Sequence, residues 1–368
     1  MKNSKNPHCL PRPATPPQRL AFIDALRGLA VLLMIAQHVS LWVCARSHGS
    51  LLVLTAGALG GISAPIFITL SGVGATLLSK SRNRPDLLLA TRGGIILGFG
   101  YGLNLLTPHW FAPGSWYVLH MIGTALIAAP LLRRLSDTGL ILLLVIVLVV
   151  TGMLQNHLGT PFRLFNRHMA APVGLTGVGR YALAEGFFPI FPWIAFFLAG
   201  LLAGRWLKDN RLDKIRCLAV VFLLMMAALA LSDAIGPDFT HSKPLVRFFR
   251  LQLSFFSALT PLSLFLMAVA LLFIIGFFRL DQKHGFRQSH VLVCLGRVSL
   301  TVLIVHICVI RESAVYFGYW KTLTETGSLF TTLVILAGFA LAAKVWQRYR
   351  YKFGFEWLLR KVSNRPGG

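Results

Sequence analysis

Three ionisable residues, Asp24, Arg27 and His38, lie in one long apolar stretch near the start of the chain. At about 100° per residue in an α-helix, His38 lies three full turns and roughly 20° beyond Arg27, and Asp24 lies about 60° to the other side of Arg27. The three side chains therefore share one helical face, with about 16 Å along the axis between Arg27 and His38. Histidine can accept a proton from a hydroxyl or amine nucleophile, and arginine can bind phosphate or a carbonyl oxygen. The spacing predicts a polar stripe suited to group transfer along a helix.

Other interpretations of the same residues stay open. An arginine or aspartate at the end of a span often serves as a topological anchor, and a histidine inside a span often forms a structural hydrogen bond between helices. A transporter or flippase could use the same stripe for a proton or a small anion, without consuming a thioester. A membrane scaffold would tolerate the loss of His38 and Arg27. The shared face of the three residues favours an enzyme.

The composition of the chain indicates what kind of protein carries this helix. Of 368 residues, 55% are hydrophobic and only 13% are charged, and the mean hydropathy is +0.68. Too few polar residues remain to cover soluble domains, which excludes a soluble enzyme and a disordered chain. Five cysteines in this length exclude a dense disulfide framework, and no paired-cysteine motif indicates a zinc site. The composition predicts a polytopic membrane protein.

An all-α fold with ten or eleven transmembrane helices follows from the apolar segments, since about 20 residues cross the hydrocarbon layer. Glycines and a proline in the second segment, Gly60, Gly61 and Pro65, predict a re-entrant turn or a kink. The ten predicted segments are residues 22–43, 51–78, 92–107, 116–132, 139–155, 186–205, 217–235, 254–278, 291–310 and 328–346.

The positive charge has a topological explanation. The chain has 36 Lys and Arg against 12 Asp and Glu, a net charge of +24. About 25 of the basic residues fall in one set of alternate connections and about 9 in the other, which predicts that both termini are cytoplasmic. The partner of this charge is then the lipid bilayer and not a nucleic acid. The predicted organisation is a disordered basic arm (1–19), a transmembrane domain (20–346) and a basic cytoplasmic tail (347–368).

Two long connections lie on the predicted side of the membrane opposite to the termini, and they are rich in charged residues and histidine. They are residues 156–185 and 232–250. Loops of this length are often functional, so they predict a lid or an acceptor-binding surface, with a plain connection as the alternative.

Several runs of residues in this sequence resemble those of a known family. The run Asp24-Ala-Leu-Arg-Gly-Leu-Ala30 with His38 is similar to the opening motif of the transmembrane acyltransferase superfamily, and further runs resemble its heparan-α-glucosaminide N-acetyltransferase-like group. In chain order, these further runs are Ser63–Gly72, Thr91–Gly98, Val118–Gly123, Phe191–Ile194 leading to Gly200 and Gly204-Arg205, and Leu295–Leu300 leading to His306.

This resemblance implies transfer of an acetyl group from cytoplasmic acetyl-CoA to a hydroxyl or amine of a saccharide acceptor on the other side of the membrane. It implies that His38 is the catalytic base or a transient acyl carrier, that Arg27 belongs to the donor site and that Asp24 holds Arg27 in place. His48 is the alternative catalytic histidine, because the family also has an active histidine in the loop after its first helix. No metal is implied, a homodimer is left open, and the implied location is the inner membrane of a bacterium.

Arginines at the predicted cytoplasmic ends of other spans could bind the phosphates of coenzyme A together with Arg27. In the ninth segment, a continuous helix would place Arg297 and His306 on opposite faces, so that only one of them could face a common cavity. For His306, a place on the acceptor side and a buried structural hydrogen bond are both open. The predicted phosphate-binding arginines are Arg92, Arg205 and Arg297.

Overall fold

The computed structural model of the chain describes residues 20–45, 50–78, 84–162, 174–235, 243–250, 255–256 and 258–363. It is 80% helical, and the described residues contain no β-strand, only an isolated bridge between Cys44 and Leu323. The predicted all-α fold is therefore confirmed. The predicted arm at residues 1–19 and His48 lie outside the described residues.

Sixteen α-helices are described, and two short π-helical segments, Tyr181–Glu185 and His306–Arg311, lie between them. In chain order the helices are α1 (Ala21–Val43), α2 (Leu51–Gly60), α3 (Ser63–Leu77), α4 (Pro85–Leu106), α5 (Val118–Leu132), α6 (Asp137–His157), α7 (Gly174–Arg180), α8 (Ile190–Lys208), α9 (Leu212–Ile235), α10 (Lys243–Phe249), α11 (Thr260–His284), α12 (Val291–Arg297), α13 (Ser299–Val305), α14 (Glu312–Tyr316), α15 (Glu325–Arg348) and α16 (Phe355–Ser363).

Eight helical stretches of the described chain are long and apolar enough to cross a membrane. They are α1, the pair α2 and α3, α6, α8, α9, α11, the stretch Ser299–Tyr316, and α15. The helices α4 and α5, which the sequence also predicts as spans, pack against each other. A polytopic membrane protein is thus confirmed, whereas ten crossings and cytoplasmic termini stay predictions.

Two of the predicted spans are interrupted helices. The second breaks at Gly61 and Ile62, between α2 and α3, where the sequence predicts a kink or turn. The ninth breaks at Val298, whose φ of −118° and ψ of 20° are not helical. The sequence gives no sign of this second break, which alters the directions of the side chains that follow it.

Helix α1 lies at the centre of the bundle and packs against α2, α3, α11, α12 and α15. Its contact with α12 depends on two glycines. A Cβ atom added at Gly28 would lie 1.9 Å from the carbonyl oxygen of Leu292, and one added at Gly296 would lie 1.8 Å from that of Asp24. The two backbones therefore touch directly, which brings Asp24 of α1 beside the end of α12.

Candidate functional site

His38 of α1 contacts a second histidine, His306, at the start of the π-helical segment His306–Arg311. Nδ1 of His38 lies 2.9 Å from Nε2 of His306. The other ring nitrogen of His306, Nδ1, lies 2.9 Å from the backbone carbonyl oxygen of Val302. His306 is fully buried and His38 partly so. The pair connects two distant parts of the chain inside the bundle.

The hydrogen bonds assign the protons of the neutral pair. A carbonyl oxygen can only accept, so Nδ1–H of His306 donates to Val302 and leaves Nε2 of His306 as an acceptor. Nδ1–H of His38 then donates to that acceptor. The hydrogen bond of His38 to the described residues is made through Nδ1, which leaves the lone pair on Nε2 as the basic site of this imidazole. This arrangement presents His38 as a proton acceptor whose tautomer is fixed by the nitrogen opposite, as in other oriented histidine bases.

Tryptophan rings surround the histidine pair. The Trp42 ring lies nearly parallel to both, with centroids 5.2 Å from His38 and 5.6 Å from His306. The Trp110 ring is nearly perpendicular to that of His38, with centroids 5.7 Å apart. Such rings restrict how the imidazoles can turn and keep water away from most of their surface. They leave a mostly apolar setting around a single basic nitrogen.

The π-helical segment also determines the position of Arg311. In an α-helix, five residues would rotate Arg311 by roughly 140° away from His306, whereas the wider turn of a π-helix keeps the two closer to one face. The guanidinium of Arg311 lies over the rings of both Trp110 and Trp320, at 5.3 Å from each centroid. It donates to Glu312 and to the backbone carbonyl of His109. A buried, neutralised cation thus borders the aromatic residues beside His38.

At the other end of α1, a second polar cluster gathers around Asp24. Its carboxylate lies 3.7 Å from Nη1 of Arg27 and 3.5 Å from Nε of Arg297. The side chain of Asp24 is 2% exposed, whereas those of Arg27 and Arg297 are 28% and 18% exposed. The buried carboxylate orients two arginines whose side chains remain partly exposed, a suitable arrangement for binding an anion.

The face of α1 between these two clusters is apolar. Val31 and Met34, which lie on this face between Arg27 and His38, are 0% and 6% exposed. The stripe that the sequence predicts is therefore polar at its two ends and packed with apolar side chains in the middle.

The other two predicted phosphate-binding arginines, Arg92 and Arg205, contact other parts of the bundle. Nε of Arg92 donates to Oγ of Ser363 on α16, at 3.3 Å. Arg205 forms an ion pair with Asp137 at 2.8 Å, and it also donates to the backbone carbonyls of Arg133 and Leu135. These contacts tie α8 to the connection between α5 and α6, which supports a structural role for Arg205.

The sequence-based placement of Arg297 and His306 on opposite faces is wrong. The break at Val298 changes the phase of the helix before His306, so both residues reach α1, Arg297 through Asp24 and His306 through His38. The one signal of the role of His306 in the sequence is its place after the run Leu295–Leu300. Nothing in the sequence indicated that it touches His38.

The two long charged connections meet in a separate network. Thr160 accepts a hydrogen bond from Arg247 through its carbonyl and donates one to Glu185 at 3.0 Å through its hydroxyl. Arg180 binds the same carboxylate at 2.6 Å, and this hydrogen bond raises the pKa of Arg180. Burial lowers the pKa of Arg247. The connections thus support each other, whereas their predicted use as a lid or acceptor surface stays a prediction.

Among the described residues, no group of three His, Cys, Asp or Glu side chains is placed to hold a metal ion. The chemistry available at the two clusters is that of an oriented imidazole at one end of α1 and of an arginine pair at the other.

Two family models match the chain. The family model described as heparan-alpha-glucosaminide N-acetyltransferase, catalytic, matches residues 19–232, more than half of the chain, and includes His38 and the Asp24 cluster except Arg297. A second family model, described as a protein of unknown function (DUF418), matches residues 201–366, which include Arg297 and His306. No curated protein matches the chain. By the length of the first match, the chain belongs to the heparan-alpha-glucosaminide N-acetyltransferase catalytic family.

Proposed function

We propose that this membrane protein transfers an acetyl group from acetyl-CoA, bound at the Arg27 end of α1 on the cytoplasmic side, to a hydroxyl or amine of a saccharide at the His38 end. Membership of an acetyltransferase family supports the reaction type. The observation that carries the proposal is the contact between His38 and His306, because it leaves one oriented basic nitrogen on His38. The inner membrane of a bacterium is the location that we propose.

In direct transfer, the acceptor oxygen or nitrogen attacks the carbonyl carbon of the thioester while Nε2 of His38 takes its proton. The tetrahedral intermediate then expels the sulfur of coenzyme A, which receives that proton from His38. The products are an acetyl ester or amide and the free thiol. His306 serves as a positioning residue, since it holds Nδ1–H of His38 and stabilises the imidazolium that forms.

An acetyl-histidine relay uses the same atom differently. Nε2 of His38 itself attacks the thioester, and coenzyme A leaves as the thiolate. The acceptor then displaces the imidazole from the acetyl group, and the proton that the acceptor loses passes through solvent and balances the charge of the thiolate. The relay releases one equivalent of coenzyme A before any acceptor is added, whereas direct transfer releases none beyond hydrolysis. A rapid-mixing experiment that follows the thiol without acceptor therefore distinguishes the two.

At the donor end, we propose that Arg27 and Arg297 bind phosphate oxygens of coenzyme A and that Asp24 holds both guanidinium groups in place. Guanidinium groups suit this because they donate two parallel hydrogen bonds to a phosphate. Arg92 is the third proposed contact. The protein contacts of Arg205 leave it out of this proposed site.

Release of free coenzyme A thiol from acetyl-CoA tests the proposal directly. Purified protein in detergent is given acetyl-CoA with a panel of amino sugars and neutral sugars, and the acetylated product is identified by mass. We expect acceptor-dependent thiol release that His38→Ala slows by about 10²- to 10⁴-fold, while the melting temperature of the variant stays near that of the wild type. Uptake of a solute into vesicles without any thiol release would instead identify a transporter and refute the proposal.

A further inference from the structure

The chain beyond α15 folds back onto the Arg297 end of the bundle. We name residues 349–363, which end with α16, the C-terminal strap. Tyr351 of the strap is buried, with its ring 5.7 Å from the guanidinium of Arg297. Oγ of Ser363, at the other end of the strap, accepts a hydrogen bond from Arg92. The strap thus contacts two of the three arginines proposed to bind the donor.

The half-buried carboxylate of Glu356 fixes α16 in this position. The carboxylate of Glu356 accepts hydrogen bonds from the backbone N–H groups of Leu300 and Thr301, at 2.5 and 3.1 Å, and from the hydroxyl of Thr301, at 2.5 Å. The backbone N–H of Phe355 donates to the same hydroxyl at 2.8 Å. Glu356 is therefore occupied with the start of α13, just after the helix break beside Arg297.

Helical spacing places a further arginine on the docked face of α16. Glu356, Arg360 and Ser363 lie four and three residues apart, so they follow one another along one side of the helix. Glu356 and Ser363, at the two ends of this row, both contact the bundle. Arg360 lies between them and is half-buried, about 5–6 Å from Ser363 at the Cβ atoms. The next residue, Lys361, is exposed, with its ammonium over the ring of Trp357.

We infer that the C-terminal strap is part of the donor site and that Arg360 binds a phosphate of the acyl-CoA donor. Arg92, Arg297 and Arg360 reach the same end of the bundle from α4, α12 and α16. A nucleotide-linked thioester carries a diphosphate and a further phosphate, which three separate guanidinium groups can bind. This inference rests on the proposed function, and it adds a binding residue that the strap supplies.

Donor analogues with and without phosphates test this inference. We compare Arg360→Gln with the matched control Lys361→Gln, its exposed neighbour on the same helix, using acetyl-CoA and the phosphate-free acetyl-pantetheine. Loss of one charge-assisted hydrogen bond to phosphate raises the KM for acetyl-CoA by about 10- to 100-fold in Arg360→Gln. The same variant keeps the wild-type KM for acetyl-pantetheine, and Lys361→Gln keeps both.

Calorimetric titration of wild-type protein with free coenzyme A separates this inference from the proposed reaction. A wild-type protein that binds coenzyme A without turning over acetyl-CoA refutes the proposed function, and weaker binding in Arg360→Gln still supports the strap site. Equal affinities of Arg360→Gln and Lys361→Gln for coenzyme A overturn the inference. So does an equal rise in KM for acetyl-pantetheine, or an Arg360→Gln defect confined to vesicles of anionic lipid, which would assign Arg360 to lipid headgroups. Arg360→Lys, which keeps the charge, checks that a loss of binding is not a loss of folding.

Discussion

The hydrogen bond between His38 and His306 gives the sharpest prediction. The side chain of Gln at position 306 can place its carbonyl oxygen near the site of Nε2 in the native imidazole, whereas Asn reaches only to the site of Nδ1. His306→Gln therefore keeps an acceptor for Nδ1–H of His38, and His306→Asn removes it. The two amides differ by one methylene group, which makes each the control for the other.

The size of the effect follows from the burial of the pair. A buried donor left without its acceptor costs about 1–3 kcal/mol. If that cost falls on the reactive orientation of His38, the rate falls by about 5- to 150-fold in His306→Asn. His306→Gln should stay within about tenfold of the wild type. His38→Ala removes the base itself and should lower the rate by about 10²- to 10⁴-fold.

The assay is the initial rate of thiol release at saturating acetyl-CoA and acceptor, with the melting temperature of each variant measured in the same detergent. A double variant, His38→Ala with His306→Asn, should be no slower than His38→Ala alone, because His306 acts through His38. Equal rates for His306→Asn and His306→Gln, or additive losses in the double variant, would refute the positioning role.

Three further predictions concern the packing of α12, the contacts of Arg205 and the docking of α16. Gly296→Ala should lower the free energy of unfolding by about 1–3 kcal/mol, because the added methyl group meets the backbone of Asp24. Gly276→Ala, where the added methyl group meets open space, should leave it unchanged, and thermal unfolding compares the two variants. Arg205→Gln should lower the melting temperature without changing the KM for acetyl-CoA, since its partners are protein groups. Burial raises the pKa of Glu356, so docking of α16 is fully favoured below the ordinary glutamate pKa of about 4.3 and weakens as pH rises through the raised value. Amide hydrogen exchange of α16 should therefore become faster over this pH range, and Glu356→Gln should remove the pH dependence.

The sequence predicts the outline of this fold well because long apolar segments leave few alternatives to membrane helices. Each of the ten predicted segments contains one helix or two consecutive helices. The shared direction of Asp24 and Arg27 was also predictable, since α1 is an uninterrupted helix and Asp24 pairs with Arg27 in it. Periodicity works where the helix is regular.

The partner of His38 could not be predicted for the opposite reason. The position of His306 depends on the break at Val298 and on the packing of α13 against α1, and no local pattern encodes these. The apolar middle of the stripe, in contrast, is predictable from the sequence, since Val31 and Met34 lie on the same helical face as Arg27 and His38. The three ionisable residues by themselves do not indicate that the face between them is apolar.

That apolar layer has a bioenergetic consequence. A bare ion has to shed its hydration to pass between side chains such as Val31 and Met34, and this penalty is many times larger than for a small neutral group. In the acetyl transfer proposed above, the group that moves carries no charge, whereas the charged nucleotide of the donor stays at one end. The apolar layer would then keep ions from crossing along α1 and so preserve the ion gradients across the bilayer.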